Sequence, residues 1–220
     1  MIQKHTFDFL ADLSKNNNRE WFMDNKSKHD AARENVIEFA GELIHALSKV
    51  DPGVDPKLDP KKCVMRIYRD IRFSPDKTPY KNNFGIGRLR SGTKTEGVGY
   101  FFHIQPGESF FAGGYWQPPG DHLKAIRQEI DYNGAALKKI VDAKDFIESF
   151  GAFRDQEQLK TVPREYSADH ENMDLLKLKS FVAIHQFDDD DLLKEDIVEK
   201  TAALAGKIYP LNVFLNNAIA

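Results

Sequence analysis

Between residues 27 and 116 the apolar residues change their spacing, and the change sets what the chain can fold into. Val36, Ala40, Leu43 and Leu47 recur on one stripe of the segment 27–50, which Asp51-Pro52-Gly53 stops, so a long helix is expected there. From Cys63 to Phe73 the period becomes two. Met65, Ile67, Ile71 and Phe73 fall on one side and Arg66, Tyr68, Asp70 and Arg72 on the other, with Arg69 on the mostly apolar side; this is the pattern of a strand. Further strands are expected over 83–90, 98–105 and 109–116, where aromatics cluster between Gly-containing turns at 91–97 and 106–108. Connections this short favour antiparallel neighbours.

Helical spacing returns on either side. Phe7, Leu10 and Leu13 follow Thr6, which reads as an N-cap, and the segment ends at the Asn16-Asn17-Asn18 turn signal. Pro118-Pro119-Gly120-Asp121 introduces Leu123, Ile126 and Ile130, and a second helical piece continues through Leu137, Ile140 and Val141. SFVAIHQF at 180–187 reads as one late strand. Leu193, Ile197, Leu204 and Ile208 mark a long helix that Tyr209-Pro210 should end or kink. No composition shift, repeat or low-complexity stretch marks a linker. Residues 1–220 are therefore expected to form one α+β domain, a mainly antiparallel sheet packed with several helices. A chain this long removes roughly 70% of its extended surface on folding, enough for a core without staples.

Thirty-one basic and 34 acidic residues leave a net charge of −3, so attraction to a polyanion has to come from a local patch. Cys63 is the one cysteine, which excludes an intramolecular disulfide and any multi-cysteine zinc site. The start, MIQKHTFDFLADLSKNN, interrupts its apolar residues with Lys4, His5, Asp8 and Asp12, and nothing later approaches a membrane span. A cytoplasmic protein without membrane partners is the expectation.

One local patch stands out. RIYRDIRFSPDKTPYK, residues 66–81, sets Arg66, Arg69, Arg72, Lys77 and Lys81 against only Asp70 and Asp76. Guanidinium groups stay charged and match carboxylate or phosphate oxygens, so the surplus needs a negative counterpart. On one reading it is an anion site: Arg66 and Arg72 on the polar strand face, Asp70 orienting a guanidinium, Lys77 and Lys81 closing from the loop, and Tyr68 and Tyr80 adding hydroxyls or a stacking surface. A phosphate-bearing metabolite or a nucleic-acid backbone fits such a site. On the other reading, distant carboxylates pair with these arginines and the stretch is internal architecture of an interaction module.

The same residues resemble a known family. Arg66, Arg69, Asp70, Arg72, Phe73, Asp76 and Lys77, with Tyr80 following, match RxxRDxRFxx(D/N)K, which resembles the signature of a bacterial domain-of-unknown-function family of about this length. NNREWF at 17–22 and PREY…DH…LLKLK at 163–179 extend the likeness along most of the chain. Where the family reads Pro-Arg-Gly-Tyr, this chain carries Glu165. The resemblance implies that the stretch matters, and it brings no substrate, cofactor or catalytic residue with it.

Other motifs carry less. Trp21 and Phe22 beside Arg19 and Glu20 suit either a pocket roof or, more simply, core anchoring. FGIGRLR at 84–90 fails the dinucleotide fingerprint, because Arg90 stands where the third Gly is needed. His103 reads as a satisfied sheet histidine on the side of Phe101. Asp169, His170, Glu171 and Asp174 form the best metal-like cluster, the basis of a third reading as a metal-dependent hydrolase or transferase, though the spacing fits no named site. Asp188 to Asp191 read as solvated carboxylates at a helix start. No GxSxG elbow or partnered cysteine supports a covalent nucleophile. If chemistry occurs, Asp70 and Asp76 are the general acid or base groups at hand, with arginines stabilising negative charge.

Overall fold

In the computed structural model, which describes residues 1–89, 97–154 and 156–220, the chain opens with α1 (Lys4–Lys15), α2 (Arg19–Asp24) and α3 (Lys26–Ser48). Helix α1 starts ahead of Thr6, so Thr6 is not its N-cap. Gln3 holds that position without a side-chain cap bond. Asn35, on α3, does the work from a distance: its Oδ1 accepts from the Gln3 backbone N–H at 2.9 Å and from the Thr6 hydroxyl at 2.8 Å. The turn at Asn16-Asn17-Asn18 is as expected, and Asn18 caps α2 by accepting from Trp21 N–H at 2.9 Å. Helix α3 buries Val36, Ala40, Leu43 and Leu47, the stripe read from the sequence.

After α4 (Pro60–Cys63) come β1 (Phe84–Ile86), β2 (Gly99–Ile104), β3 (Phe110–Tyr115), α5 (Gly120–Val141), α6 (Lys144–Phe150), α7 (Met173–Leu176), β4 (Phe181–Gln186), α8 (Asp189–Leu192) and α9 (Ile197–Ala218). The strands form one antiparallel sheet in the order β1-β2-β3-β4, with Phe84, Gly85 and Ile86 opposite Ile104, His103 and Phe102. The α+β class is as expected. Helix α5 joins the two predicted helical pieces across a non-helical Asn133. Most of the predicted turn at 91–97 lies outside the described residues.

Three further expectations need correction. Residues 63–73 form no continuous strand; they make only isolated bridges, for reasons taken up with the site below. Strand β1 is short, and Arg88 just beyond it has φ of 60°, which takes the chain out of extended geometry. Helix α9 neither begins at Leu193 nor ends at Pro210. An interior proline costs about 3 kcal/mol. Leu211, Phe214 and Leu215 beyond it are buried, each contributing about 1.5–3 kcal/mol, and their burial carries the helix through.

Within this fold the chain divides into two compact units. The first comprises Met1–Ser91, Phe101–Phe111 and Gln186–Ala203. Its core gathers Phe9, Phe22, Phe39, Phe84 and Phe102, with Phe39 edge-on to Phe102 at 5.2 Å and Phe187 stacked on Phe102 at 5.7 Å. The second comprises Gly92–Tyr100, Ala112–His185 and Leu204–Ala220. Ile126, Ile130, Leu137, Phe146, Leu175 and Phe181 fill it. Here Gly114, at φ of 123°, lets β3 pass so close to β4 that a Cβ would lie 2.0 Å from the Phe181 carbonyl oxygen.

Candidate functional site

The basic stretch lies wholly in the first unit, and its backbone is an irregular two-stranded ribbon. Val64 bridges Ile86 and Tyr68 bridges Tyr80, both antiparallel. The Met65 N–H donates to the Gly85 carbonyl at 2.8 Å and the Gly87 N–H to that of Cys63 at 3.0 Å. Four residue steps separate Val64 from Tyr68, against six from Tyr80 to Ile86, so the second segment holds two extra residues and bulges. The alternating pattern overpredicts because beyond Arg69 the chain leaves the ladder. Ile67 is buried, but Met65 and Phe73, assigned to the same apolar side, are exposed.

Around the second bridge, the Arg69 N–H donates to the Pro79 carbonyl at 3.0 Å and the Lys81 N–H to that of Ile67 at 2.7 Å. Tyr68 and Tyr80 thus form a non-hydrogen-bonded pair, the kind that brings side chains closest, and their rings lie 5.6 Å apart. The Tyr80 N–H and carbonyl face away from that partner. Asn17 meets both: its Nδ2 donates to the carbonyl at 2.9 Å and its Oδ1 accepts the N–H at 3.1 Å. Phe22 stacks on the Tyr80 ring at 4.0 Å. Two segments quoted for the family likeness, NNREWF and the basic stretch, therefore meet here. Phe22 is core, and Trp21 stacks on Phe9 at 6.2 Å. Burial and nearby Tyr68 push the Tyr80 phenol up, while Arg19 works against them.

Residues 70–78 close a loop with their own polar groups. Arg72 makes a two-point contact with Asp70, Nε to Oδ1 at 2.9 Å and Nη2 to Oδ2 at 2.6 Å, which lowers the Asp70 carboxyl to about 2. Asp76 accepts from the Thr78 N–H at 2.9 Å, and Arg69 donates to both Asp76 and Thr78. The Thr78 N–H bond, then the Arg69 and Thr78 side chains, bring the Asp76 carboxyl to about 2. Lys77 Nζ donates to the Ile71 carbonyl at 3.0 Å. None of this is sealed from water, and the Arg72 side chain is 75% exposed.

Arg66 and Lys81 remain. Among the described residues neither has a side-chain hydrogen bond or an ion pair. Lys81 is half-buried, and its pKa is lowered, first by that burial and then by Arg66. Two cations without a direct ion pair thus sit close enough to repel beside the Tyr68–Tyr80 pair, with Asp70 near enough to Arg66 to feel its charge. With Lys77, which meets a backbone carbonyl and no carboxylate, these two make up the charge surplus read from the sequence.

The other candidates come apart. His170 accepts the Asn172 N–H on Nδ1 at 3.0 Å, which leaves Nε2 to donate to Asp131 at 2.8 Å. Both ring nitrogens are used. Asp169 accepts from the Ser167 hydroxyl and Asp174 from Arg154, so the metal-like cluster does not converge. No group of three His, Cys, Asp or Glu among the described residues is arranged to hold a metal ion. Glu165 has no positive φ, so its backbone makes no demand for glycine. His103 Nε2 lies 3.0 Å from Gln105 Oε1, as a satisfied sheet histidine. Gly85 belongs to β1, where a Cβ would meet the Phe101 ring at 3.0 Å; close packing explains it without a phosphate loop. Asp191 pairs with Lys194 at 2.7 Å and Asp189 accepts from the Gly107 N–H at 2.9 Å. These groups, with Phe187, Asp188 and Asp190, line a cavity of about 520 Å³ that no residue of 66–81 reaches.

No helix among the described residues is long and apolar enough to cross a membrane. The model of a conserved hypothetical protein family, DUF2461, matches residues 5–214, a span that includes the whole basic stretch. Neither the curated proteins nor the solved structures gave a match.

Proposed function

The chain belongs to the DUF2461 family of conserved hypothetical proteins, and we propose that it binds an anionic, phosphate- or carboxylate-bearing ligand on the ribbon of residues 66–81. The observation that carries this reading is the pair Arg66 and Lys81, adjacent cations with no hydrogen bond or ion pair to a carboxylate among the described residues, Asp70 acting on Arg66 only from a distance. An anion between them relieves their repulsion and favours the charged form of Lys81. Arg72 and Lys77, exposed and tied only to Asp70 and a carbonyl, are free to re-pair with the ligand, and Tyr68 and Tyr80 border it. Arg69, Asp70 and Asp76 hold the loop in place. The lone buried Cys63, whose thiol burial pushes up, suits a reducing compartment such as the cytoplasm.

Architecture is the better account of Arg69, which is fixed by Asp76 and Thr78. A metal-dependent reaction finds no converging ligands among the described residues. The test is thermal unfolding against inorganic phosphate and pyrophosphate. A ligand at a hundred times its Kd stabilises by about 2.7 kcal/mol. Arg66→Ala with Lys81→Ala should abolish the shift, and a shift that survives in the double variant would overturn the assignment.

A further inference from the structure

The cations of the first unit are strung along the ribbon rather than gathered around a point. Eight basic residues, Lys61, Lys62, Arg66, Arg69, Arg72, Lys77, Lys81 and Arg88, face two acidic ones within 61–89, in a chain that is −3 overall. The antiparallel register orders them. The Gly87 N–H bond to Cys63 brings Arg88 to the end where Lys61 and Lys62 lie, Arg66 and Lys81 occupy the middle, and Arg72 and Lys77 stand on the loop beyond Arg69. The paired part of the first segment, residues 64–69, spans roughly 20 Å at most, with α4 carrying Lys61 and Lys62 at one end and the loop at the other. A single phosphate needs one convergent cradle; a row of charges this long matches a row of phosphates.

Two aromatics complete the pattern. Phe73 is 94% exposed, with the Arg72 guanidinium carbon 5.9 Å from its ring centre, and Tyr68 is 54% exposed between Arg66 and Arg69. An apolar ring left in water at the tip of a basic loop gains nothing for the fold. It offers a flat face on which a base stacks while neighbouring cations hold the backbone. A duplex hides its base faces, and an inorganic polyphosphate has none.

We propose that the ribbon 61–88 is a binding track for single-stranded nucleic acid, with Phe73 and Tyr68 as base-stacking platforms and Arg66, Lys81, Arg72 and Lys77 as phosphate contacts. This rests on the anion-site reading and narrows it to one ligand class.

The experiment is fluorescence anisotropy of the full chain with labelled 15-residue oligo(dT) and oligo(U), a duplex of equal length, and polyphosphate as competitor. The single strands should bind most tightly, with log K falling by about 0.7 per phosphate contact for each unit of log salt. Phe73→Ala should weaken them about tenfold without changing the slope. Arg66→Ala with Lys81→Ala should flatten it. Because Phe73 is solvent-exposed, its variant is expected to fold normally, and a circular-dichroism melt verifies this. Oligonucleotides bound no better than polyphosphate of equal charge, or unaffected by Phe73→Ala, would overturn the stacking proposal while leaving the anion site standing. Absence of binding by phosphate, polyphosphate and oligonucleotide alike would overturn both.

Discussion

The Asn17 carboxamide and the Tyr80 peptide unit hold each other by two reciprocal hydrogen bonds, at 2.9 and 3.1 Å, across 63 positions of sequence. A carboxamide is the side chain that presents one donor and one acceptor in a plane, as a neighbouring strand does. Asn17 therefore stands in for a third strand at the edge of the ribbon and fixes Tyr80, on which the Tyr68 position depends. Each bond is worth about 1 kcal/mol. Asn17→Ala should cost about 1–2 kcal/mol in urea unfolding, and Asn17→Asp at least as much, because a carboxylate cannot donate to the Tyr80 carbonyl. If Asn17→Asp were as stable as the parent, the clasp would not be holding the ribbon.

Arg69 and Arg72 look equivalent in the sequence and should behave differently. Arg72 and Asp70 are both well exposed and two residues apart, so water replaces their contact readily. Arg69 is less exposed, and its partners Asp76 and Thr78 close the loop. Arg69→Ala should lower the melting temperature and Arg72→Ala leave it unchanged. The reverse order in a thermal melt would contradict the division between scaffold and ligand arm.

His29 makes the first unit sensitive to acid. Its ring lies among Phe9, Phe22 and Phe84, its Nδ1 meets Asp30 at 2.9 Å, and its buried Nε2 has no hydrogen-bond partner among the described residues. Burial lowers its pKa below 6.5, against the opposing pull of Asp30 and with small help from Lys26 and Arg33. The unfolded chain then binds the proton more readily than the folded one. The stability His29 protects is fully present above pH 6.5 and declines as pH falls through 6.5 toward the folded pKa. Urea midpoints measured from pH 8 to pH 5 should fall over this window, and less so in His29→Phe. An identical pH profile in the variant would exclude His29 as the source.

Asn212 sits in α9 fully buried, and neither its Oδ1 nor its Nδ2 finds a hydrogen-bond partner among the described residues. An unpaired buried amide costs about 1–3 kcal/mol. Leucine has the same branched outline, no polar atoms and a better helix propensity. Asn212→Leu should raise stability by about 1 kcal/mol or more, read as a higher urea midpoint at unchanged m-value. A loss of stability would mean that the amide is satisfied in solution.

Spacing made α3 and the two halves of α5 legible, because burial of one stripe is a property of residue order. The same logic overreached at 63–73. Alternation there is genuine, yet of Met65, Ile67, Ile71 and Phe73 only Ile67 is buried and Phe73 is almost wholly exposed, since Arg69, Asp76 and Thr78 turn the chain away from the sheet. Pro210 fails to end α9 for the opposite reason: its local cost is real, but burial of Leu211 and Leu215 outweighs it. Asn17 was visible as part of a turn. Nothing in its neighbourhood announces that its side chain reaches Tyr80.

The sequence alone determined that this chain is α+β, that it holds one strongly basic stretch, and that the stretch carries more guanidinium than carboxylate, because composition and period are local quantities. Which cations are left over was decided by the tertiary structure. Arg69, Arg72 and Lys77 find partners within their own loop, whereas Arg66 and Lys81 are brought together across the ribbon with no side-chain hydrogen bond or ion pair among the described residues. Charge balance at a site depends on distances through space, and only the folded register sets those.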